Sequence, residues 1–488
     1  MSFFLNCSPA CVRPPRKPPR DAALSACLLA MLVLSGCAAV ADAPPPALPF
    51  EVPGAWSTAS PPSVRDAPTL QDWWQRFDDP MLGELVGRAL SANATVLTAE
   101  VAWRQARALQ DVAAAALLPS VGGSASAQHG TSGGNSTGNA YKAGLNGTWV
   151  PDVFGLNQSA LDAATATAEA AGASVGDARV ATAAEVGLAY IGLRGAQARL
   201  DIATRNLASQ QETLQITQWR EQAGLVTALE TAQARAAVEQ TRAAQPALRT
   251  AIEQASHALA VLTGQPPVAL ASLFAAVAPV PRAEPGLALA IPLHTLRQRA
   301  DVRVAERKLA AALARVAQAR AARMPGFTLG GSIGLSSLLL GTLTDAASVV
   351  TSLLASMAVP VFDGGAGLAQ VRAQQAAYEQ ARLAYQAVVL AALKEVEDAL
   401  IALQEDLLRQ ASLGIAGEAA AAAYLMARQR YGSGLVDFQV VLETQRTQLS
   451  AQDGLAVASA DVGSDHVRLY KALGGGWRGA PTNAGALR

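Results

Sequence analysis

Hydrophobic positions recur along this chain with two different periods. Leu193, Ala196, Leu200, Ala203, Leu207, Gln210 and Leu214 step by three and four residues, as do Val389, Leu393, Val396, Leu400, Leu403 and Leu407. That spacing lines one face of a helix in the manner of a coiled-coil seam. No proline falls between Asp152 and Gln245, or between Val361 and Ala480, so helices predicted over Ala160–Gln222 and Leu368–Tyr431 can run unbroken. At about 1.5 Å per residue each spans roughly 95 Å, far more than a globular domain needs. Gly172, Gly176 and Gly187 weaken the first helix without ending it, and Pro246 predicts a kink in the helix that follows.

Elsewhere the period is two. Tyr141, Ala143, Leu145, Gly147 and Trp149 alternate with Lys142, Gly144, Asn146 and Thr148; Phe327, Leu329, Gly331, Ile333 and Leu335 alternate with Thr328, Gly330, Ser332, Gly334 and Ser336. Val121–Ser126 and Ser352–Val359 alternate in the same way. Segments of roughly 8–11 residues with one apolar and one small or polar face have the pattern of membrane β-strands; a soluble, half-buried hairpin is the other reading of such alternation. The intervening loops, about Gln128–Asn139 and Leu338–Ser348, are expected to face outside the cell. Four strands cannot close a barrel, and lipid does not tolerate an open edge. A barrel is therefore expected to be shared between subunits, a trimer supplying twelve strands. Trp149 suits an interfacial aromatic girdle.

The two halves follow one plan. Thr95–Glu100 aligns with Asp301–Glu306, Val150-Pro151-Asp152-Val153-Phe154-Gly155 with Val359-Pro360-Val361-Phe362-Asp363-Gly364, and Gly224-Leu225-Val226 with Gly434-Leu435-Val436. The offsets of 206, 209 and 210 residues point to an internal duplication of helix, hairpin, very long helix, helix. The expected boundaries are an export signal at 1–36, a lipidated segment at 37–80, a first repeat at 81–290 with its hairpin near 120–150, a second at 291–473 with its hairpin near 326–360, and a tail at 474–488.

Composition narrows the function. Charged residues are 16% and hydrophobic ones 51%, yet aromatic ones only 5%, so the apolar share is mostly Ala, Leu and Val, suited to helices that approach closely. Thirty-eight Lys+Arg balance 38 Asp+Glu, which argues against nucleic-acid binding, whose footprint is a basic excess. Beyond residue 37 no run reaches the roughly 18 apolar residues of a helical membrane span. Arg13, Arg16, Lys17 and Arg20 precede an apolar run, Ala22–Leu34, and then Leu34-Ser35-Gly36-Cys37. This is the layout of a secretory signal, and its end resembles the lipobox of bacterial lipoproteins, with Cys37 the site of acylation. Cleavage there removes Cys7, Cys11 and Cys27 and leaves no disulfide possible within the mature chain, whose net charge is about −3. By analogy with lipoprotein sorting, Ala38, in place of Asp, directs the chain to the outer membrane.

Catalytic readings are weak. Gly330-Gly331-Ser332-Ile333-Gly334 fits G-x-S-x-G, but a nucleophile elbow needs a strand–turn–helix context and Ser332 falls inside an alternating strand. Asp363-Gly364-Gly365-Ala366-Gly367 lacks the spacing of a nucleotide fingerprint. His129, His257, His294 and His466 lack metal-ligand spacing. The expectation is no enzyme, no cofactor and no metal.

The lipobox, the two helix–hairpin–helix repeats and the GLV tips together resemble the outer-membrane efflux protein family, the TolC/OprM group, and within it the NodT-type lipoproteins that serve resistance–nodulation–division pumps. Family-like strings are Trp73-Trp74-Gln75-Arg76-Phe77-Asp78-Asp79-Pro80, Arg299-Ala300-Asp301-Val302-Arg303, Val359-Pro360-Val361-Phe362-Asp363-Gly364-Gly365 and, most specific, Leu469-Tyr470-Lys471-Ala472-Leu473-Gly474-Gly475-Gly476-Trp477. The resemblance implies a mainly α fold with a membrane β part: a homotrimer whose twelve-stranded barrel in the outer membrane continues as a long α-helical tunnel in the periplasm. It implies docking to a periplasmic adaptor and an inner-membrane proton-driven pump, and passive export of drugs or other small molecules. The adaptor would meet the tips at Gly224, Leu225, Val226, Gly434, Leu435 and Val436. Asp437 and Glu443 would form an acidic ring at a gate, with Arg430 and Tyr431 as bonding partners. Glu443, in Val440-Val441-Leu442-Glu443-Thr444-Gln445, stands where the family's segment usually has Asp; a solvated helix face is the plainer reading of these charges. The same fold serves type I protein secretion, and a periplasmic adaptor lipoprotein is the alternative from another class, though no lipoyl-like β-rich block is present.

Overall fold

The computed structural model describes residues 50–57, 70–132, 136–284, 295–296 and 298–477, all within one unit, Phe50–Arg488; Cys37 and the export signal lie outside the described residues. The principal elements are α1 (Pro80–Ala92), α2 (Ala94–Ala115), β1 (Ser120–Ser132), β2 (Ser136–Trp149), α3 (Leu156–Gln222), α4 (Ala228–Leu262), α5 (Ala300–Ala321), β3 (Gly326–Ser337), β4 (Val349–Ala358), α6 (Ala366–Gly432) and α7 (Phe438–Ala472). Helices of 22, 67 and 35 residues occur twice: α2 and α5, α3 and α6, α4 and α7. Each long helix reaches about 100 Å. Among the described residues no helix is long and apolar enough to cross a membrane.

The long helices are the struts. α3 packs against α2, α5, α4 and α7, and α6 packs against α5 and α7. Both open in the same way: Gly155 and Gly365 stand at their N-termini with φ of +76° and +89°, where side chains are strained. A nearby carboxylate then accepts orphan amide protons, Asp152 from Gln158 N at 2.6 Å and Asp363 from Gly365 N and Gly367 N at 2.8 and 2.7 Å. The amides of Gly367 and Gly365 hold the Asp363 carboxyl below its ordinary range. α4 runs on through Pro246 as one helix.

The strands form one antiparallel sheet in the order β1-β2-β3-β4. The two hairpins join at β2 and β3, with Trp149 opposite Leu329 and Tyr141 opposite Ser337. Gly144 and Gly334 face each other at this join; a Cβ on Gly144 would stand 2.9 Å from Gly334 Cα. The expected loop at Gln128–Asn139 is corrected: pairing persists through His129 opposite Asn139 and on to Ser132 opposite Ser136, because Nδ1 of His129 bonds Asn139 Oδ1 at 2.6 Å and the chain here is small and polar. β1 and β2 thus reach 13 and 14 residues, beyond the 8–11 expected. The second loop carries two short 3-10 turns, Leu340–Thr342 and Ala346–Ser348.

Most of the large buried side chains gather around the middle of α3. Trp73, Trp74 and Phe77, on a 3-10 turn at Leu70–Phe77, pack with Leu82, Leu85 and Val86 of α1, with Val186, Tyr190 and Ile191 of α3, and with Val467 and Tyr470 of α7. The WWQRFDDP string is the means of building this core. Its aromatics enter, Asp78 takes a left-handed φ of +46°, and Asp79 Oδ1 accepts from Met81 N and Leu82 N to cap α1, with Pro80 at the first helical position, where no amide is needed.

Candidate functional site

Each long helix ends in a turn of the same construction. In the first, Gly224 has φ +73°, its amide bonds Glu221 O at 2.9 Å and Leu225 N bonds Arg220 O at 2.8 Å. In the second, Gly434 has φ +75°, its amide bonds Tyr431 O at 3.0 Å and Leu435 N bonds Arg430 O at 2.9 Å. This is the glycine-terminated helix end in which a left-handed residue lets the last carbonyls be satisfied. Leu225 and Leu435 are each 73% exposed, leaving two apolar side chains in solvent at the ends of the two helical pairs. Val226 and Val436 are half-buried beside them.

Above the second turn the expected gate residues separate into two groups. Asp437 precedes α7, its carboxylate making no capping bond, and Glu443 lies about 9 Å further along the axis; both are exposed, as is Arg430. None of the three makes an ion pair among the described residues. Tyr431 instead packs inward. Its ring lies 5.5 Å from Phe438 and 4.4 Å beneath the Arg220 guanidinium, while its hydroxyl is buried without a hydrogen-bond partner among the described residues. Sequence reasoning missed Arg220, and also the layer one heptad higher. There Tyr424 Oη meets Ser209 Oγ at 2.9 Å and accepts from Gln445 Nε2 at 3.2 Å. The seven-residue step from Tyr424 to Tyr431 was the available signal. Further rungs are Asn206 to Gln452 at 2.9 Å and Arg199 to Asp453 at 2.7 and 3.1 Å. Polar layers of this kind fix the register of helices whose Ala-rich faces would otherwise slide.

At the far end of α7 the terminal GGGW string closes the middle of the molecule. Gly474 has φ +77° and Gly476 φ +103°; a Cβ on Gly475 would stand 2.8 Å from Leu70 O, and Gly476 N bonds that carbonyl at 2.9 Å. Trp477 then lies against Gly176 of α3 and beneath Arg303, its Nε1 donating to Gln298 O at 3.1 Å. Arg299, from the R-A-D-V-R string, is only 6% exposed. It donates to Ala472 O at 2.7 Å, to Asp301 at 3.0 and 2.6 Å and to Glu395 at 2.7 Å. Burial lowers its pKa, but Asp301 and then Glu395 outweigh that and raise it overall. The buried cation thus pins the start of α5, the body of α6 and the end of α7 together. Nearby, burial and then Asp301 push the Asp177 carboxyl above its ordinary value, against Arg299 and Lys471.

α6 and α7 also carry a cluster of carboxylates. Asp465 is 1% exposed; Oδ1 accepts from Arg468 Nη1 at 2.6 Å while Oδ2 is buried without a partner. Burial raises its pKa to about 6, with the Arg468 cation opposing and the neighbouring Asp406 carboxyl adding to the rise. Arg409 bridges Asp406 at 3.0 Å and Asp461 at 3.1 Å.

Nothing in these sites is arranged for catalysis. Ser332 Oγ meets Ser352 Oγ at 2.8 Å, a cross-strand pair with no base beside it. Among the described residues no group of His, Cys, Asp and Glu could hold a metal ion.

Comparison with known proteins agrees with this geometry. The family model described as outer membrane efflux protein matches the chain twice, at 85–265 and 292–475. Nodulation protein T of Rhizobium leguminosarum bv. viciae is 32% identical over 447 residues, covering 91% of this chain and 92% of that protein. Outer membrane protein OprJ of Pseudomonas aeruginosa is 31% identical over 458 residues, covering 92% and 95%. The solved structure of the outer-membrane channel OprN superposes with a TM-score of 0.82 at 33% identity, covering 88% of this chain and 98% of that one. The matched family and its solved structural neighbours are outer-membrane channels, not enzymes. Twice-matched helical repeats, a four-stranded sheet and glycine-turned tips over nearly the whole length leave one conclusion: the chain belongs to the outer membrane efflux protein family.

Proposed function

We propose that three copies of this chain form one continuous duct, a twelve-stranded barrel in the outer membrane carried on a hollow cylinder of helices in the periplasm, and that it passively conducts small molecules outward. The observation that carries this is the unequal company of equivalent elements. α5 lies between α3 and α6, whereas among the described residues α2 packs on α3 and the short α1 but on no second long helix, leaving Leu97, Val101, Leu109 and Val112 exposed. β2 and β3 are paired on both edges, while among the described residues β1 and β4 each keep one edge free, which lipid does not tolerate. A neighbouring copy whose α6 and β4 covered those flanks of α2 and β1 would repeat the arrangement that α5 and β3 already have. Such head-to-tail contacts close into a ring, and three copies give an even strand number within the known range. The equal helix lengths in the two halves support reading the chain as an internal duplication.

In this assembly Asp437 and Glu443 recur three times around the axis as an acidic constriction, with Arg430 close by, and the orphan hydroxyl of Tyr431 acquires a partner from the next subunit. The exposed Leu225 and Leu435, with Gly224, Val226, Gly434 and Val436, offer the docking surface for a periplasmic adaptor, which couples the duct to an inner-membrane pump. Acyl chains on Cys37 tether the mature N-terminus to lipid; two or more chains suffice for a stable anchor. Similar proteins are named for efflux of toluene and of solvents and for export of pyoverdine, all small molecules, which favours that cargo over secreted proteins. The test is extraction of outer membranes in mild detergent. A trimeric mass and single-channel conductance in planar bilayers are expected, whereas a monomer that stays dissolved without detergent after removal of the N-terminal tether overturns the reading.

A further inference from the structure

The junction between sheet and long helix is built twice in the chain, but only one copy is complete. At the first, the chain leaves β2 through Val150-Pro151 and places Phe154 against Phe327, ring centroids 6.4 Å apart and nearly parallel. Phe327 is the second residue of β3, the strand that pairs with β2. At the second, the chain leaves β4 through Val359-Pro360 and reaches Val361 and Phe362, which are 93% and 91% exposed. A phenylalanine so fully in solvent, beside an equally exposed valine, lacks the cover that Phe154 has at the neighbouring position of the other repeat.

The repeat says where that cover is. Pro325 precedes β3 as Pro119 precedes β1, so Phe327 corresponds to Val121, which is 72% exposed; Leu118 beside it is 66% exposed. Within the chain, Phe154 follows one strand and meets the foot of the next. Phe362 stands four residues past β4 and Phe154 five past β2, so the aromatic is displaced by one position between the repeats; carried over with that displacement, Phe362 meets the foot of the strand beyond β4, which one chain does not supply.

We infer that Phe362 docks on Val121 and Leu118 of a neighbouring copy, so that this aromatic knob at the foot of the sheet sets the register between β4 and the neighbour's β1. The register follows from the same translation: Trp149 opposite Leu329 within the chain becomes Ala358 opposite Gly123 of the next copy. A slip of one residue would exchange the two faces of the strand, and a knob set in one position opposes such a slip. The inference rests on the trimeric reading above and adds the contact that fixes its register.

The test is paired cysteine substitution in protein extracted from outer membranes, treated with a short bifunctional thiol reagent and resolved on denaturing gels. Phe362→Cys with Val121→Cys, and separately Ala358→Cys with Gly123→Cys, are expected to give a ladder ending at three linked chains, with each single variant giving none. Phe154→Cys with Phe327→Cys is expected to link within one chain, without change of mass. Phe362→Ala is expected to lower the temperature at which the assembly dissociates, and Phe362→Leu to recover most of that loss. Mass measurement without reagent reports the oligomer independently. A trimer whose 121/362 and 358/123 pairs do not link between chains overturns the docking inference while leaving the duct intact; absence of any trimer overturns both.

Discussion

Glycine inside a helix ordinarily costs about 1 kcal/mol against alanine, yet α3 carries several where a neighbour fills the place of the missing Cβ. Trp103 lies over Gly172 with Nε1 3.1 Å from that place, Trp477 lies over Gly176 closer still, Trp73 reaches within 2.9 Å at Gly187, and Ala460 Cβ is 2.8 Å away at Gly195. Three tryptophans and the α3–α7 contact are therefore seated on one long helix by absence of a side chain. Gly192, on the exposed side, meets nothing within 4 Å. Thermal unfolding should separate the two kinds. Gly176→Ala and Gly187→Ala should each destabilise by about 1–3 kcal/mol, as overpacking does, and Gly192→Ala should stabilise by up to about 1 kcal/mol. The loss at 187 depends on Trp73, which lies 2.9 Å from the place of the missing Cβ, so pairing Gly187→Ala with Trp73→Phe should restore part of it; no recovery would contradict the close packing.

Between elements, the α6–α7 seam holds its most sensitive pair at Asp465 and Asp406. A carboxylate only accepts hydrogen bonds, so two facing carboxylates leave Oδ2 of Asp465 unsatisfied until one of them is protonated. The folded Asp465 titrates near 6 against an ordinary 3.8, so between about pH 4 and pH 6 the folded state holds a proton that the unfolded state has released. Stability contributed by this group therefore falls as pH rises through that window and is flat above it. Asp465→Asn supplies a permanent N–H toward Asp406, and its melting temperature should exceed that of wild type increasingly from pH 4 to 6.5, with Asp406→Asn giving the same flattening. Facing charges are Arg409 on α6 and Asp461, His466 and Arg468 on α7, with the Arg199–Asp453 pair on the α3 side and Arg76 and Glu284 near Tyr470. Burial lowers the His466 pKa, so its protonation opposes folding and its stability slope with pH has the opposite sign. Parallel pH profiles for wild type and Asp465→Asn would exclude the shared proton. The seam itself was legible from period: Leu193, Ala203, Val396 and Leu400 are buried. Leu407 lies on the same stripe yet is 45% exposed, so the period alone does not tell which end of the stripe is covered within the chain. The alternating strands were legible too, but not their length, since the His129–Asn139 bond that extends β1 and β2 depends on a register no period reveals. Asp465 and Tyr424 were missed for a related reason. A lone Asp or Tyr on a helix reads as a solvated or core position, and only the antiparallel meeting of α6 with α7, and of both with α3, puts Asp406 or Ser209 against it.

For the whole molecule, the proposed duct makes its narrowest part electrostatic. Three copies of Asp437 and Glu443 place six carboxylates around one axis, at the end where α7 begins. Charges of one sign in a confined passage draw in cations and exclude anions, and they act over about 10 Å at 0.1 M salt. Asp437→Asn combined with Glu443→Gln should therefore shift the reversal potential of single channels, measured under a salt gradient, toward anion permeation. The shift should be large in dilute salt and fade toward 1 M, where screening shortens to about 3 Å. Both side chains are exposed, so the variant should melt as wild type does, which separates loss of charge from loss of fold. Arg430→Gln should move the reversal potential the opposite way if its guanidinium lies in the same passage, for it then offsets part of the acidic ring. A reversal potential indifferent to all three substitutions would place these residues outside the conduction path and turn the tip into a docking surface alone.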